Sequence, residues 1–256
     1  MTLASFDVAG VRIHALRVSD VVDEVDTWIR ERRREYVVLT GAHGVVEMQD
    51  DESLRRINNV AGLTAPDGMP VVWLGRLSGH PHVEQCAAPQ IMQAIFSISA
   101  ERGYRHFLYG GAAGVADELS AALRRRFGRV TIAGAHGPPF RALTAAEISE
   151  DARRINDSGA DIVWVGLGCP KQERWMATFR PLLTTPVLIG VGAGFDFFTG
   201  RLPRSPRWVS AAGLEWLFRL AVEPRRLWPR YSRVVPKFLY TVAREWLRPN
   251  IRAVRD

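Results

Sequence analysis

The sequence has few of the features that mark secreted or membrane-spanning proteins. Only two of its 256 residues are cysteines, Cys86 and Cys169, and they lie too far apart to suggest a disulfide framework or a metal site. No stretch approaches the roughly 18 consecutive apolar residues of a membrane-spanning helix. The first residues also lack the basic and apolar segments of a signal peptide. We therefore expect a reduced, cytoplasmic protein.

Motifs for metal binding are also missing. The six histidines form no His-x-x-x-His pair, and no Asp-x-Asp element follows a predicted strand. We therefore expect no metal and no bound cofactor. Any phosphate groups bound here would have to be held by protein cations and by the positive ends of helices.

The sequence alternates between apolar strands and amphipathic helices. This order is typical of βαβ units, so we predict an α/β fold with a Rossmann-like, mostly parallel sheet and helices on both faces. The predicted strands are Val11–Leu16, Tyr36–Thr40, Leu63–Ala65, Arg105–Tyr109, Val130–Gly134, Ile162–Val165 and Val187–Val191. The predicted helices are Val21–Arg34, Ser53–Val60, Gln90–Arg102, Val115–Phe127, Ala145–Asn156 and Gln172–Leu182. Ligands of such sheets bind beyond the carboxyl ends of the strands.

Two glycine-rich turns follow predicted strands and open helices. The first runs from Gly166 through Gly168 to Lys171 and Gln172, where free backbone N–H groups, a positive helix end and a cation suit a nucleotide diphosphate. A plain strand-to-helix turn is the structural alternative. The second begins at Gly110 and Gly111 and continues to Gly114. No acidic residue ends the strand after it, so a nicotinamide dehydrogenase is disfavoured, and a phosphate or nucleotide site stays open.

The tripeptide Pro66-Asp67-Gly68 has the composition of a turn. It also ends a short apolar strand, at the edge of the sheet where ligands bind. The carboxylate of Asp67 is therefore a candidate to accept a proton from an attacking hydroxyl group, and an ordinary pKa near 4 is sufficient for that role.

The end of the chain makes the protein basic. Residues 201–256 contain 13 lysines and arginines against four acidic residues, a charge of +9, whereas the whole chain carries +7. Aromatic residues are interleaved with these cations, and near the end an apolar stripe from Phe238 to Leu247 recurs at helical spacing. This pattern suits an anionic membrane surface, a nucleic-acid backbone or a solvated helix face. The prolines, which we expect to break this segment into turns, argue against one nucleic-acid recognition helix.

Taken together and in order, these motifs resemble those of the WecG/TagA/CpsF glycosyltransferases. The resemblance extends over about residues 10 to 240. It is carried by Thr40, Pro66–Trp73, Tyr109–Gly111, Gly166–Glu173, Gly192–Asp196, Gly213–Leu220 and Glu223–Tyr231.

The resemblance implies an inverting, metal-independent enzyme that moves a hexose-type sugar from a UDP-sugar to a polyprenyl-diphosphate-linked saccharide. Such enzymes build bacterial cell-surface polysaccharides, including exopolysaccharides, at the inner face of the cytoplasmic membrane. Asp67 falls on the family's proposed catalytic base, and Thr40 also lies at the catalytic site. The implied UDP-sugar ligands are Gly110, Gly111, Gly166, Gly168, Lys171, Gln172, Asp196, Arg219, Arg225, Arg226 and Arg230.

Two departures from the family pattern leave the donor sugar undefined. Ala42 and then His43 stand where many members have an asparagine two residues after the threonine, and Ala88–Ile91 replaces a usual Gly-x-Asp-Leu. A non-catalytic nucleotide-binding partner in a polysaccharide assembly complex is the main alternative function. A nucleic-acid-binding protein is a second alternative, although we expect no nucleic-acid partner.

We divide the chain into an α/β glycosyltransferase domain, residues 1–200, and an Arg/Trp-rich membrane-associating appendage, residues 201–256. The predicted location is peripheral, on the cytoplasmic side of the membrane. Self-association as a homo-oligomer stays open.

Overall fold

Six parallel strands form the central sheet of the protein. A computed structural model describes residues 3–112, 114–203, 205–206, 209 and 213–247. The sheet has the order β4-β3-β8-β7-β5-β6. Its strands are β3 (Glu35–Thr40), β4 (Leu63–Pro66), β5 (Arg105–Gly110), β6 (Thr131–His136), β7 (Ile162–Gly166) and β8 (Val187–Gly190). Two further strands, β1 (Ser5–Val8) and β2 (Val11–His14), form a separate antiparallel hairpin.

Helices connect the strands and continue into the carboxyl-terminal part of the chain. They are α1 (Val18–Arg30), α2 (Ala42–Asp50), α3 (Glu52–Asn59), α4 (Met69–Leu77), α5 (Ala88–Arg102), α6 (Val115–Phe127), α7 (Ala145–Asp157), α8 (Lys171–Phe179), α9 (Gly194–Thr199), α10 (Glu215–Val222) and α11 (Pro224–Trp246). Among the residues that the structure describes, no helix is long and apolar enough to cross a membrane.

Alternate residues of each strand enter two different hydrophobic cores. Trp164 on β7 and Leu108 on β5 pack with α1, α5 and α6, whereas their neighbours Val163 and Phe107 pack with α7 and α8 on the other face. Side chains of a strand point alternately to opposite faces, so both faces of this sheet are buried. The predicted α/β fold, with a mostly parallel sheet and helices on both faces, is confirmed.

A third hydrophobic core attaches α11 to the hairpin. Val234 and Phe238 of α11 are buried against side chains of α2, α4 and both hairpin strands. Polar contacts support this packing: Arg233 Nη2 lies 3.0 Å from Asp50 Oδ2, Lys237 also pairs with Asp50, and Glu245 accepts a hydrogen bond from the Ala9 N–H at 2.7 Å. The basic appendage is therefore docked on the α/β domain, with α2 as its main contact.

The structure corrects several expectations about individual elements. The predicted strand Val11–Leu16 ends at His14 and lies in the hairpin instead of the parallel sheet. Helices α2 and α4 begin where we predicted only loops, directly after Thr40-Gly41 and Asp67-Gly68.

The expectation that prolines break the appendage into turns is also wrong for α11. This helix begins at Pro224 and continues through Pro229 and Pro236. A proline inside a helix costs about 3 kcal/mol, and burial of Leu227, Val234 and Phe238 offsets that cost. Only part of the predicted apolar stripe packs inward, because Leu239 and Leu247 are exposed. Residues 248–256 lie outside the described residues.

Candidate active site

Asp67 lies directly beyond the carboxyl end of β4. Its N–H donates a 3.0 Å hydrogen bond to the carbonyl oxygen of Thr40, which ends the neighbouring strand β3. The two chain segments approach so closely at this point that a methyl group on Gly41 would lie 2.4 Å from the Asp67 carbonyl oxygen. Only glycine fits at position 41, and this contact fixes the backbone of Asp67 against β3.

Thr40 supports this arrangement from the interior. Its side chain is buried, and Oγ1 donates a 2.7 Å hydrogen bond to Asn58 Oδ1. Asn58 in turn donates to the carbonyl oxygen of Arg12 at 3.1 Å. The hydroxyl group of Thr40 therefore donates its hydrogen to Asn58, while the carbonyl oxygen of Thr40 positions Asp67. The predicted catalytic role of Thr40 stays a prediction.

The appendage faces the carboxyl group of Asp67. Burial and, to a lesser extent, the nearby carboxylate of Glu215 raise the pKa of Asp67 from 3.8 to about 6, against the opposing charge of the Arg219 guanidinium. Glu215 and Arg219 lie one turn apart on α10. The pKa of Asp67 therefore lies above the ordinary value near 4 that would be sufficient for a base acting late in the reaction.

The two glycine-rich turns contact each other at the same edge of the sheet. The Gly111 N–H donates to the Gly166 carbonyl oxygen at 3.0 Å, and a methyl group on Gly110 would lie 2.7 Å from the Gly166 backbone. Gly110 has a φ of 122°, which L side chains rarely adopt. Both the space and the backbone conformation therefore require glycine at position 110.

Gln172 connects this pair of turns to the loop after β8. Its Oε1 accepts the Gly192 N–H at 2.8 Å, and its Nε2 donates to Glu173 Oε1 at 3.1 Å. Gly168 borders Gly192 on the same side. Gln172 is buried and its amide is used for these internal contacts, whereas the neighbouring Lys171 is exposed. Gln172 thus shapes the floor of the site, and Lys171 lies at its rim.

Asp196 on α9 lies among arginines of the appendage. Burial raises its pKa, and the positive charges of Arg201, Arg226 and Arg219 oppose that shift. The Arg219 guanidinium also lies 5.6 Å from the centre of the Phe197 ring. Arg219 is therefore the cation shared by Asp67 and Asp196, the two predicted acidic site residues.

The other predicted arginines lie on α11. Arg230 is near His43 of α2 and Cys169, since its charge lowers the pKa of both groups. Arg226 pairs with Glu223 at 2.5 Å, and Arg225 is exposed. Burial raises the pKa of the Cys169 thiol, as does nearby Glu173. This environment disfavours the nucleophilic thiolate form of Cys169.

Helices that begin at this edge leave their first N–H groups without a side-chain cap. The N-cap residues of α2, α4, α6 and α8 are Gly41, Gly68, Gly114 and Pro170, and none of them provides a capping side chain. Asp51 and Thr144 cap α3 and α7, whereas α1, α5 and α9 also begin without a capping side chain. Uncapped helix starts carry partial positive charge and suit phosphate oxygens.

One cavity lies apart from this site. A cavity of about 420 Å³ opens at the opposite, amino-terminal edge of the sheet, beside Tyr36 and Arg180, and contains none of the predicted site residues. Within the described part of the chain, no group of three or more His, Cys, Asp or Glu side chains converges as a metal site.

Comparison with known proteins identifies the family. The model of the glycosyl transferase WecG/TagA/CpsF family matches residues 6–252. The chain belongs to this family. This WecG/TagA/CpsF protein is accordingly a glycosyltransferase, and the resemblance inferred from its motifs is confirmed.

Two relatives share one name, N-acetylglucosaminyldiphosphoundecaprenol N-acetyl-beta-D-mannosaminyltransferase. The protein from Bacillus subtilis (strain 168) is 31% identical over 180 residues, which cover 70% of this chain and 68% of the relative. The protein from Bacillus spizizenii (strain ATCC 23059 / NRRL B-14472 / W23) is 28% identical over 216 residues, which cover 84% and 81%.

The sequence motifs did not reveal every charged group at the site. Glu215 was part of a recognised motif, but nothing in its spacing indicated that its charge reaches Asp67. Glu47 and Arg233, which flank His43, were also missed because their proximity depends on how α11 docks on α2.

Proposed function

We propose that this glycosyltransferase moves a hexose-type sugar from a UDP-sugar to a polyprenyl-diphosphate-linked saccharide, with inversion and without a metal ion. The product would enter a bacterial cell-surface polysaccharide. The names of both relatives describe sugar transfer to a lipid-linked diphosphate, which supports this acceptor class. The observation that carries the proposal is the position of Asp67 beside Arg219, at an edge of the sheet where uncapped helices begin.

In the proposed reaction, the acceptor hydroxyl oxygen attacks the anomeric carbon of the donor sugar. The new carbon–oxygen bond forms as the bond to the UDP oxygen breaks, and the leaving diphosphate keeps the electron pair. Asp67 takes the hydroxyl proton late in this step, when that proton has become acidic. Its raised pKa of about 6 makes it a stronger base than an ordinary aspartate, while leaving it mostly ionised at pH 7.

The negative charge that grows on the diphosphate needs stabilisation. We assign this role to Arg219 and Arg230 of the appendage, together with Arg225, Arg226 and the exposed Lys171. The N–H groups at the starts of α2, α4 and α8 supply hydrogen-bond donors. Preorganised donors of this kind each contribute roughly 2–4 kcal/mol to lowering a barrier. The glycine turns and Asp196 would hold the remainder of the UDP-sugar.

The appendage would also place the enzyme on the anionic inner face of the cytoplasmic membrane. Several large apolar side chains of α10 and α11 are exposed, including Trp228, Leu239 and Tyr240, which are 64%, 62% and 67% accessible. They are interleaved with arginines, and such a surface binds anionic lipid. Replacing Leu239 and Tyr240 by serine should weaken binding to phosphatidylglycerol vesicles. The exposed Phe140, which lies in the loop before α7, provides a Phe140→Ser control that should bind normally.

The direct test of the proposed function is UDP release from a panel of UDP-sugars, with and without a polyprenyl-diphosphate-linked saccharide. Three proteins would be compared: the native chain, Asp67→Asn and Asp23→Asn, whose exposed side chain lies on α1. Acceptor-dependent release that is lost in Asp67→Asn and kept in Asp23→Asn would support the proposal. UDP binding without turnover of any donor would favour a non-catalytic partner instead. Full activity of Asp67→Asn would exclude Asp67 as the base.

A further inference from the structure

His43 occupies an unusual electrostatic position at the site. It lies in the first turn of α2, two residues after Gly41, and its imidazole is about three-quarters buried. His43 Nε2 lies 3.6 Å from Glu47 Oε1. The same oxygen lies 3.8 Å from Arg233 Nη2 on α11. One carboxylate oxygen therefore stands between an imidazole and a guanidinium.

The charged groups facing His43 come from two elements. Glu47 lies on its own helix, and Arg230 and Arg233 face it from α11. Burial and the two guanidinium charges lower the pKa of His43 below 6.5, while Glu47 partly opposes them. His43 is therefore mostly neutral at pH 7, so its imidazole can gain a proton.

A bound diphosphate would reverse this balance. Burial and the guanidinium charges of Arg230 and Arg233 keep His43 neutral, and the negative charge of a diphosphate next to Arg230 would compensate those guanidinium charges. Phosphate oxygens also bind a protonated imidazole through charge-assisted hydrogen bonds. We propose that His43 binds a phosphate group of the diphosphate as an imidazolium, taking its additional proton from the solvent when the ligand binds. This inference rests on the proposed function, because that function supplies the diphosphate.

Two substrates of the proposed reaction contain a diphosphate, namely the UDP-sugar and the prenyl-linked acceptor. His43 would recognise the phosphate chemistry that they share. Separate titrations with UDP and with geranyl diphosphate, a soluble prenyl diphosphate, distinguish the two. Proton uptake with UDP alone would place His43 at the donor, and uptake with geranyl diphosphate alone would place it at the acceptor.

Calorimetry in buffers of different ionisation enthalpy measures the protons taken up on binding. The native chain would be compared with His43→Gln, with Asp67→Asn and with His80→Gln, a histidine beside Phe6 that is outside the site. Asp67→Asn is needed because a carboxyl group of raised pKa can also take up a proton beside an anion. The His43 imidazole C–H resonance, followed through the same titration, reports its protonation directly.

The terminal phosphate of either ligand also titrates near pH 6, so the uptake due to His43 is the difference between the native chain and His43→Gln. We expect this difference to be about half a proton or more per bound diphosphate near pH 6.5. Asp67→Asn and His80→Gln should keep most of this uptake, and His43→Gln should lose it. The Kd of His43→Gln should rise about tenfold at pH 6 and less at pH 8.

Three results would overturn the assignment. Equal uptake by His43→Gln and the native chain, uptake that disappears only in Asp67→Asn, or an imidazole resonance of His43 that does not shift on binding would each show that His43 does not act in this way, while leaving the proposed transferase intact. If neither diphosphate bound to the native chain, the diphosphate site of the proposed function would fail together with this inference.

Discussion

The rate of sugar transfer should fall in mildly acidic solution because Asp67 must be ionised to accept a proton. With a pKa of about 6, roughly nine-tenths of Asp67 is ionised at pH 7 and about one-tenth at pH 5. The value of kcat/KM should therefore drop about tenfold between these two pH values. An aspartate with the ordinary pKa of 3.8 would lose less than about a tenth of its ionised form over the same range.

The assay is UDP release at limiting donor concentration from pH 5 to pH 8, with circular dichroism confirming that the protein stays folded. Glu215→Gln is the informative variant. It removes a nearby negative charge that raises the pKa of Asp67, so the acid limb of the profile should move to lower pH. Asp23→Asn, on the exposed face of α1, should leave the acid limb where it is, because Glu215 and Arg219 are the charged groups that shift the pKa of Asp67.

Two results would refute this reasoning. A native profile that stays flat down to pH 5 would show that Asp67 is either an ordinary carboxylate or not the base. An acid limb at the same pH in Glu215→Gln would show that α10 does not face Asp67 as described.

Four further variants test packing and titration in the fold. A methyl group at Gly41 meets the Asp67 backbone, so Gly41→Ala should lower the free energy of unfolding by about 2 kcal/mol or more and abolish UDP release. A methyl group at Gly44 meets the side chains of Thr40 and Met48 only at ordinary van der Waals distances, so Gly44→Ala should stabilise the fold by up to about 1 kcal/mol in the same urea titrations. His14 and His106 are buried with pKa values lowered to about 4 and about 3, so the unfolded chain binds protons that the folded chain does not. Thermal stability should therefore fall as pH decreases from about 6.5 to 4, and less steeply in His14→Asn, which keeps an acceptor for the Thr64 N–H. Ionising the half-buried Asp67 destabilises the fold as pH rises from about 4 to 6. In urea titrations at pH 7, the free energy of unfolding of Asp67→Asn should therefore exceed that of the native chain by up to about 3 kcal/mol, with no gain at pH 3.5.

The parallel sheet and several of its helices could be predicted because their hydrophobic patterns are local. The predicted helix Val115–Phe127 matches α6 at both ends. Strand order is not local: β8 lies between β3 and β7, and this order brings the loop after β8 between Thr40 and Gln172. The course of α11 through its prolines also depended on tertiary burial, which overrides local propensity.

The residues of the candidate site were predictable as a set, but their functions within it were not. Position after a strand identified Asp67 as a candidate base. It did not indicate that Thr40 gives its hydroxyl hydrogen to Asn58, or that Gln172 uses its amide to join two loops. These roles depend on contacts between residues that are distant in sequence. Motifs therefore locate the site, and contacts distinguish the residues that shape it from those that face a ligand.

The paired charges of α10 resolve a conflict in the proposed chemistry. A cation near the leaving diphosphate stabilises it, but the same cation beside Asp67 lowers the pKa of the carboxyl group and weakens it as a base. Glu215 and Arg219 are four residues apart and therefore lie on one face of α10. Because Glu215 opposes Arg219 at Asp67, the guanidinium can serve the diphosphate while Asp67 keeps its affinity for a proton. In the proposed reaction, the edge of the sheet would supply the base and the helix starts, and α10 would adjust the charge on which both depend.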